Sequence, residues 1–401
     1  MKWEKVRLED CCYSISDGDH QPPPKAQQGI PFVTISNINS MNQLDFSDTM
    51  FVPKEYYRSL DEKRKVRKGD VLYSVVGSFG IPVLIKEERP FVFQRHIAIL
   101  RPKEDIVDSG FLFYTMLSRD FYAKADAVAI GAAQRTVSLG SLRNIKIDVP
   151  SLESQKHIAD ILSAYDDLIE NNQKQIKLLE EAAQRLYKEW FVDLRFPGHE
   201  NTKIVDGVPE GWNICPFSSK VDIMSGGTPK TSIPDYYNGR IPFYTPKDSD
   251  GAFFAYKTQI NITEGGLKNC NSRLYPPKTV IITARGTVGK TTILAVPMAM
   301  NQSCYALKMK ENDAPYYLFF ALNNEIKALQ TMANGGVFNT IIGKTFDSIN
   351  IQIPKDPLIY GFEKTVRPFM EQIKNKLQAN SKLVEARDRL LPELMSGEVK
   401  V

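Results

Sequence analysis

The chain is 401 residues long, 42% apolar and 24% charged, which suits two or three globular domains and excludes a disordered or fibrous protein. With 51 Lys+Arg against 47 Asp+Glu, the net charge of +4 is too near neutral to identify a nucleic-acid binder from the total. No apolar run approaches the ~20 residues of a membrane span, and Met1-Lys2-Trp3-Glu4 opens no secretory signal. The five cysteines form no CxxC pair and only four histidines are present, so reduced thiols in a cytoplasmic protein are expected rather than a metal site.

In chain order, residues 1–150 read as a strand-rich globule. Gly69-Asp70 leads into the apolar run Val71-Leu72-Tyr73-Ser74-Val75-Val76, turns are marked by Asp17-Gly18-Asp19 and Pro22-Pro23-Pro24, and a helix is expected over 111–123. From Gln155 to Trp190 there is no Pro or Gly. Leu162, Tyr165, Ile169, Asn172, Ile176, Leu179, Ala183, Leu186 and Trp190 step by 3 and 4 alternately, and Asn172 is the one polar member. Residues 201–355 return to strands around Thr279-Val280-Ile281-Ile282-Thr283, with turns at Ser225-Gly226-Gly227-Thr228-Pro229 and Asn334-Gly335-Gly336 and a helix over 316–332. A second heptad series then runs Met370, Ile373, Leu377, Asn380, Val384, Arg387, Leu391, Leu394. It carries Arg387 on its seam, with Pro368 kinking or starting it and Pro392 near its end.

The two globules are copies. Ile30-Pro31-Phe32-Val33-Thr34 returns as Ile241-Pro242-Phe243-Tyr244-Thr245, and Val76-Gly77-Ser78-Phe79-Gly80 returns as Arg285-Gly286-Thr287-Val288-Gly289. Trp3 matches Trp212, Gln94 matches Gln302, and Val149-Pro150 matches Ile353-Pro354. These offsets lie between 204 and 211 residues, too long for a solenoid and suited to a duplicated domain-plus-helix unit. Each heptad series carries one asparagine, the residue type that sets register in a coiled coil. Antiparallel pairing of Asn172 with Asn380 would bring Trp190 to Phe362 and Leu162 to Leu390. The expected fold is therefore α/β (α+β): two similar mixed domains, 1–150 and 201–355, separated by helical regions 151–200 and 356–401 packed as an antiparallel coiled coil. Separate amphipathic helices packed on their own domains are the plainer account.

Split this way, the charge is +2 over 1–150, −4 over 151–200, +5 over 201–355 and +1 over 356–401. Positive charge belongs to the globules and an acidic face to the first helix, which is read as a spacer and a docking surface for protein partners. Ala284-Arg285-Gly286-Thr287-Val288-Gly289-Lys290-Thr291 fits a relaxed phosphate-loop pattern. The β-branched Thr292-Ile293-Leu294-Ala295-Val296-Pro297 behind it is wrong for the helix such a loop needs, so a hairpin presenting Arg285 and Lys290 is preferred. The chain has no Asn/Asp-Pro-Pro-aromatic methyltransferase loop, no HExxH and no GxSxG. His20 and His96 have no evident catalytic partner in sequence, and no catalytic residue is assigned. Two basic readers at the ends of a helix of about 54 Å would span about 16 base pairs, a ruler for a bipartite, asymmetric DNA target.

The runs Ser225-Gly226-Gly227-Thr228-Pro229, Ile241-Pro242-Phe243, Gly286-Thr287-Val288-Gly289, Leu186-Tyr187-Lys188-Glu189-Trp190-Phe191 and 390–398 resemble the specificity subunit of type I restriction–modification systems along the whole chain. The resemblance implies two target-recognition domains, adenine methylation by two methyltransferase subunits using S-adenosylmethionine, and endonuclease/translocase subunits using ATP and Mg where restriction is present. No cofactor is expected on this chain itself. Ser16-Asp17-Gly18-Asp19-His20 departs from the Ser-Gly-Gly-Thr-Pro run, which questions a shared loop geometry. Candidate DNA contacts are Lys25, Ser78, Arg95, Gln134 and Arg135 in the first copy. Those in the second are Lys230, Lys247, Arg285, Thr287, Lys290 and Asn339. Gln94 and Gln302 are expected to support the fold. The alternatives are a stand-alone DNA-binding regulator and an NTPase using residues 284–291.

Overall fold

A computed structural model describes residues 3–18, 20–39, 41–132, 134–332, 340, 341 and 343–399. Asn339 and the Asn334-Gly335-Gly336 turn lie outside the described residues. The chain forms two compact units, Met1–Ile169 with Lys382–Val401, and Glu170–Ser381.

In the first unit, strands Cys12–Asp17, Ile97–Pro102, Val71–Ser74 and Pro82–Leu84 form an antiparallel sheet in that order. A second sheet orders Met50–Val52, Ile30–Val33 and Val92–Phe93, the last two parallel. Successive residues of a strand point to opposite faces, and here both faces are covered. Val71 and Tyr73 join Phe111, Leu112 and Ile158 on the helical side, while Leu72 joins Val33, Phe91 and Phe93 on the other. That explains why this strand reads as an apolar run in which only Ser74, itself buried, is polar. The helix expected over 111–123 is two helices, Ser109–Leu117 and Arg119–Val128, divided at Ser118. The Ser118 hydroxyl accepts from Phe121 N–H at 3.2 Å and so starts the second helix.

The second unit repeats this plan. Val221–Ser225, Cys304–Met309, Val280–Thr283 and Thr291–Leu294 take the order of the first sheet, extended by Phe254–Ala255. Asn261–Ile262, Tyr237–Tyr244 and Ala299–Met300 form the second sheet, again with one parallel pair. In each unit the opening strand pairs antiparallel with the closing one, Glu4–Arg7 with Lys146–Val149 and Asn213–Pro216 with Asn350–Ile353.

Helix Leu152–Tyr187 has 36 residues and continues into a π-helical turn, Lys188–Val192. Helix Asp356–Ser396 has 41, so Pro368 does not start it; the helix begins three turns earlier and passes through the proline. Each unit contains one stretch of both helices, running antiparallel. In the second unit the Asn172 Nδ2–H donates to Asn380 Oδ1 at 2.8 Å, with both side chains buried, and Trp190 meets Phe362 edge-on at 6.0 Å. In the first, Leu162 shares a core with Leu391 and Leu394. The seam charge Arg387 is neutralised there. It donates to Asp166 at 2.5 Å, and Asp166 also accepts from the Tyr114 hydroxyl at 2.6 Å.

Candidate nucleic-acid interface

The same four turns recur at one end of the sheets in each unit. The first is a short 3-10 turn behind the parallel strand. Thr34 accepts and donates with Asn37, and Thr245 does so with Asp248, whose Oδ2 receives the Thr245 N–H and hydroxyl at 2.8 Å each. Such a Thr-x-x-Asn/Asp box satisfies the donors that a helical turn leaves open. Ser36 and Lys247 occupy its tip.

The second is the glycine turn. Residues 285–289 link the antiparallel strands Val280–Thr283 and Thr291–Leu294, with Gly286 at φ +79° and Gly289 at φ +83°. These left-handed conformations favour glycine. Thr283 closes the turn: its hydroxyl donates to the Thr287 carbonyl and accepts from Lys290 N–H at 3.0 Å. A strand, not a helix, follows Lys290, so the turn offers no helix N-terminus for a nucleotide phosphate. The Thr287 hydroxyl donates to the Pro246 carbonyl at 3.3 Å, which sets Arg285, Thr287 and Lys247 on neighbouring turns. Arg285, Thr287, Lys290 and Lys247 are all exposed.

A third turn braces the second. Ala284 N–H donates to the Ser303 carbonyl at 2.7 Å, and Val75 N–H donates to the His96 carbonyl at 2.8 Å, which places exposed Arg95 in the first unit beside its own glycine turn. Gln302 accepts from the Thr228 hydroxyl and so ties this turn to the loop that carries exposed Lys230. That loop is the fourth element, and here the apparent departure in sequence disappears. A Cβ on Gly18 would fall within 2.6 Å of the Phe93 and Gln94 backbone, and one on Gly226 within 2.8 Å of Met300 and Asn301. The first glycine therefore does the same work in both copies, because backbone approaches backbone at that point.

In the first unit the segment behind helix Arg119–Val128 closes over the glycine turn. Gly77 N–H donates to the Arg135 carbonyl at 3.0 Å, and a Cβ at Gly77 would stand 3.4 Å from Gln134 Nε2. Ser78 and Gln134 are exposed at this place. The Arg135 guanidinium is partly engaged in the fold, donating to the Asp126 carbonyl at 2.6 Å and pairing with its carboxylate at 3.2 Å. Lys25 is exposed but stands apart, beside Ala26, whose N–H donates to the Phe51 carbonyl. Residue-type reasoning missed Tyr122, which stacks on Phe79 of the glycine turn at 5.4 Å, and Gln259, whose Nε2 donates to the Lys247 carbonyl at 3.2 Å. Only the repeated Thr-x-x-Asn/Asp spacing could have pointed to the turn that Gln259 braces.

Burial pushes the thiols of Cys11, Cys12 and Cys304 up to about 11, 12 and 12. Among the described residues no cluster of three or more His, Cys, Asp or Glu is placed to hold a metal ion, and no helix is long and apolar enough to cross a membrane.

A duplicated scaffold that holds exposed Arg, Lys, Gln and Thr side chains on rigid turns, with different residues at matching places in the two copies, defines a recognition protein. The family model of the type I restriction modification DNA specificity domain matches residues 1–181 and 209–380. The chain belongs to this family. It is 25% identical to the type I restriction enzyme HindI specificity subunit of Haemophilus influenzae, with 99% of each chain covered. It is 26% identical to the MjaIX specificity subunit of Methanocaldococcus jannaschii over 83% of this chain and 78% of that one. The crystal structure of a type I restriction-modification S subunit from M. genitalium shares the fold, with a TM-score of 0.61, 16% identity, and 98% of this chain and 96% of that chain covered.

Proposed function

We propose that the chain reads a bipartite, asymmetric target in double-stranded DNA, one half-site per unit, and itself carries out no chemistry. It directs adenine methylation by two methyltransferase subunits that bind S-adenosylmethionine. Where endonuclease subunits are present, it directs restriction driven by their ATP and Mg. The observation that carries this reading is the matched set of turns with unmatched tips: Val76 against Arg285, Ser78 against Thr287, Ile81 against Lys290 and Ser36 against Lys247. A conserved scaffold with exchanged side chains is what two readers of different sequences require, since base edges are discriminated by side-chain donors, acceptors and apolar groups. The proposed contacts are Ser78, Arg95, Gln134 and Arg135 in the first unit and Lys230, Lys247, Arg285, Thr287 and Lys290 in the second. Lys25 is a more remote phosphate contact.

The test is to map methylated adenines in a host expressing the chain with its methyltransferase. Exchange of residues 201–355 for those of a relative should alter one half-site only, and a change in both or in neither would refute the reading. Arg285→Ala should weaken binding of the assembled complex by ~1–3 kcal/mol if the guanidinium meets a base. Unchanged affinity and an unchanged methylation pattern would remove Arg285 from the interface.

A further inference from the structure

The glycine turn of the first unit carries an aromatic ring stacked against it. Tyr122 is 47% exposed, yet its ring cannot move freely. It lies parallel to Phe79, with an interplanar angle of 2° and centroids 5.4 Å apart, and Phe79 is itself only 9% exposed. Gly80, at φ +95°, leaves room for the ring: a Cβ there would stand 2.6 Å from Tyr122 Cδ2 and Cε2. The Ser118 carbonyl holds the Tyr122 N–H at 3.1 Å, in the first turn of its helix. One face of the tyrosine is thus spent on the turn while the rest is offered to solvent, on the same turn as exposed Ser78 and as Gly77, which faces Gln134. At the corresponding turn of the second unit the tips are charged, with Arg285, Lys290 and Lys247 exposed.

We propose that Tyr122 is a specificity residue of the first unit, recognising the 5-methyl group of a thymine in its half-site. This rests on the reading that these turns face DNA. An aromatic ring held by packing loses little side-chain entropy when it meets a partner, so it can convert apolar contact into affinity. In the major groove of an intact duplex the thymine methyl is the apolar feature that marks one base from the others. Beside the guanidinium of Arg95, the first unit thus offers an apolar shelf and the Gln134 amide. Gly80 is needed because any side chain there would lift the ring from Phe79.

The test uses the assembled complex of the chain with its methyltransferase, on the target identified by methylation mapping. The half-site that remains unchanged when residues 201–355 are exchanged is assigned to the first unit. Each thymine of that half-site is replaced in turn by uracil, which lacks only the methyl group. One replacement should weaken binding by about fourfold, the worth of one buried methyl-sized group, and the same replacement should have no effect on the Tyr122→Ala complex. Tyr122→Phe, which keeps the ring, should retain both the target and the sensitivity to uracil. Indifference to uracil at every position overturns the proposal, as does a Tyr122→Ala complex that keeps the wild-type sensitivity. Loss of co-purification with the methyltransferase in Tyr122→Ala, with uracil neutral throughout, would make the ring a protein contact instead. If Arg285→Ala alters the other half-site while uracil is neutral, only this inference fails. If neither has an effect, the placement of DNA at these turns fails with it.

Discussion

Glu363 offers a quantitative test of how the second unit is held together. Its side chain is 2% exposed, and Oε1 accepts from the N–H groups of Tyr316 and Tyr317 at 2.8 Å each, at the start of helix Pro315–Met332. Oε2 is buried with no hydrogen-bond partner. Burial outweighs the two N–H groups and nearby Arg367, with Asp313 adding to it, and pushes the carboxyl from 4.5 up to about 7. In the first unit the matching helix start is capped by its own N-cap residue, Asp108 Oδ1 accepting from Phe111 N–H at 2.9 Å, and a buried amide in turn holds Asp108. Gln155 Oε1 accepts from Asp108 N–H at 2.8 Å, and Nε2 donates to the Ile106 and Pro150 carbonyls at 3.0 and 2.9 Å. Between about 4.5 and 7 the folded chain holds more protons at Glu363 than the unfolded chain, so the stabilisation is complete below 4.5 and is lost as pH rises through 7. At ~1.4 kcal/mol per pH unit, the loss approaches about 3 kcal/mol. Glu363→Gln should remove this dependence, differing from wild type by less than ~1 kcal/mol at about pH 5 and being more stable by ~1–3 kcal/mol at about pH 8. The assay is urea unfolding of the full chain followed by tryptophan fluorescence, in which Trp190 and Trp212 report on this unit. An equal effect at both pH values, or a loss at the higher one, would mean that the carboxylate is ionised and favoured by the helix N-terminus, and the reasoning above would be wrong.

Three further predictions concern the helices and the thiols. Asn172→Leu should cost ~1–3 kcal/mol in urea unfolding, because the buried Asn380 Oδ1 loses the Asn172 donor. Adding Asn380→Leu should recover most of that loss, and a single variant as stable as wild type would contradict the role given to the pair. Arg387→Met should destabilise the first unit by ~1–3 kcal/mol. Asp166→Asn in the same chain should bring less than the additive loss, and strict additivity in the double-mutant cycle would mean the pair is uncoupled. Iodoacetamide at about pH 8 should label Cys215 and Cys270, which are half-buried, well before Cys11, Cys12 and Cys304. Peptide mass mapping that finds all five labelled at one rate would count against the buried placement.

Much of the architecture was legible because it is written twice. The matched runs around Thr34 and Thr245, and around Gly77 and Gly286, could be aligned without coordinates, and the heptad spacing with one asparagine per helix fixed a trial pairing. Glycine positions were legible for the same reason: a left-handed turn excludes most other residues, so Gly286 and Gly289 mark their turn locally. Ser16-Asp17-Gly18-Asp19-His20 was misleading because only Gly18 is constrained by backbone approach, while its neighbours are free to differ. The start of the second helix was also obscured, since a proline within a long helix looks locally like a beginning.

Composition, periodicity and repetition by themselves determined two α/β copies, two long helices and a charge pattern that sets two basic segments against an acidic first helix. Each of these is a property of short stretches, where spacing and side-chain chemistry act directly on the neighbouring backbone. Only the tertiary structure decided that Thr287 meets Pro246, that Arg135 is partly bound by Asp126, that Glu363 reaches the N–H groups of Tyr316 and Tyr317, and that Tyr122 rests on Phe79 and Gly80. Those contacts join residues that no local period relates, and they form because folding excludes water from faces whose partners lie far away in the chain.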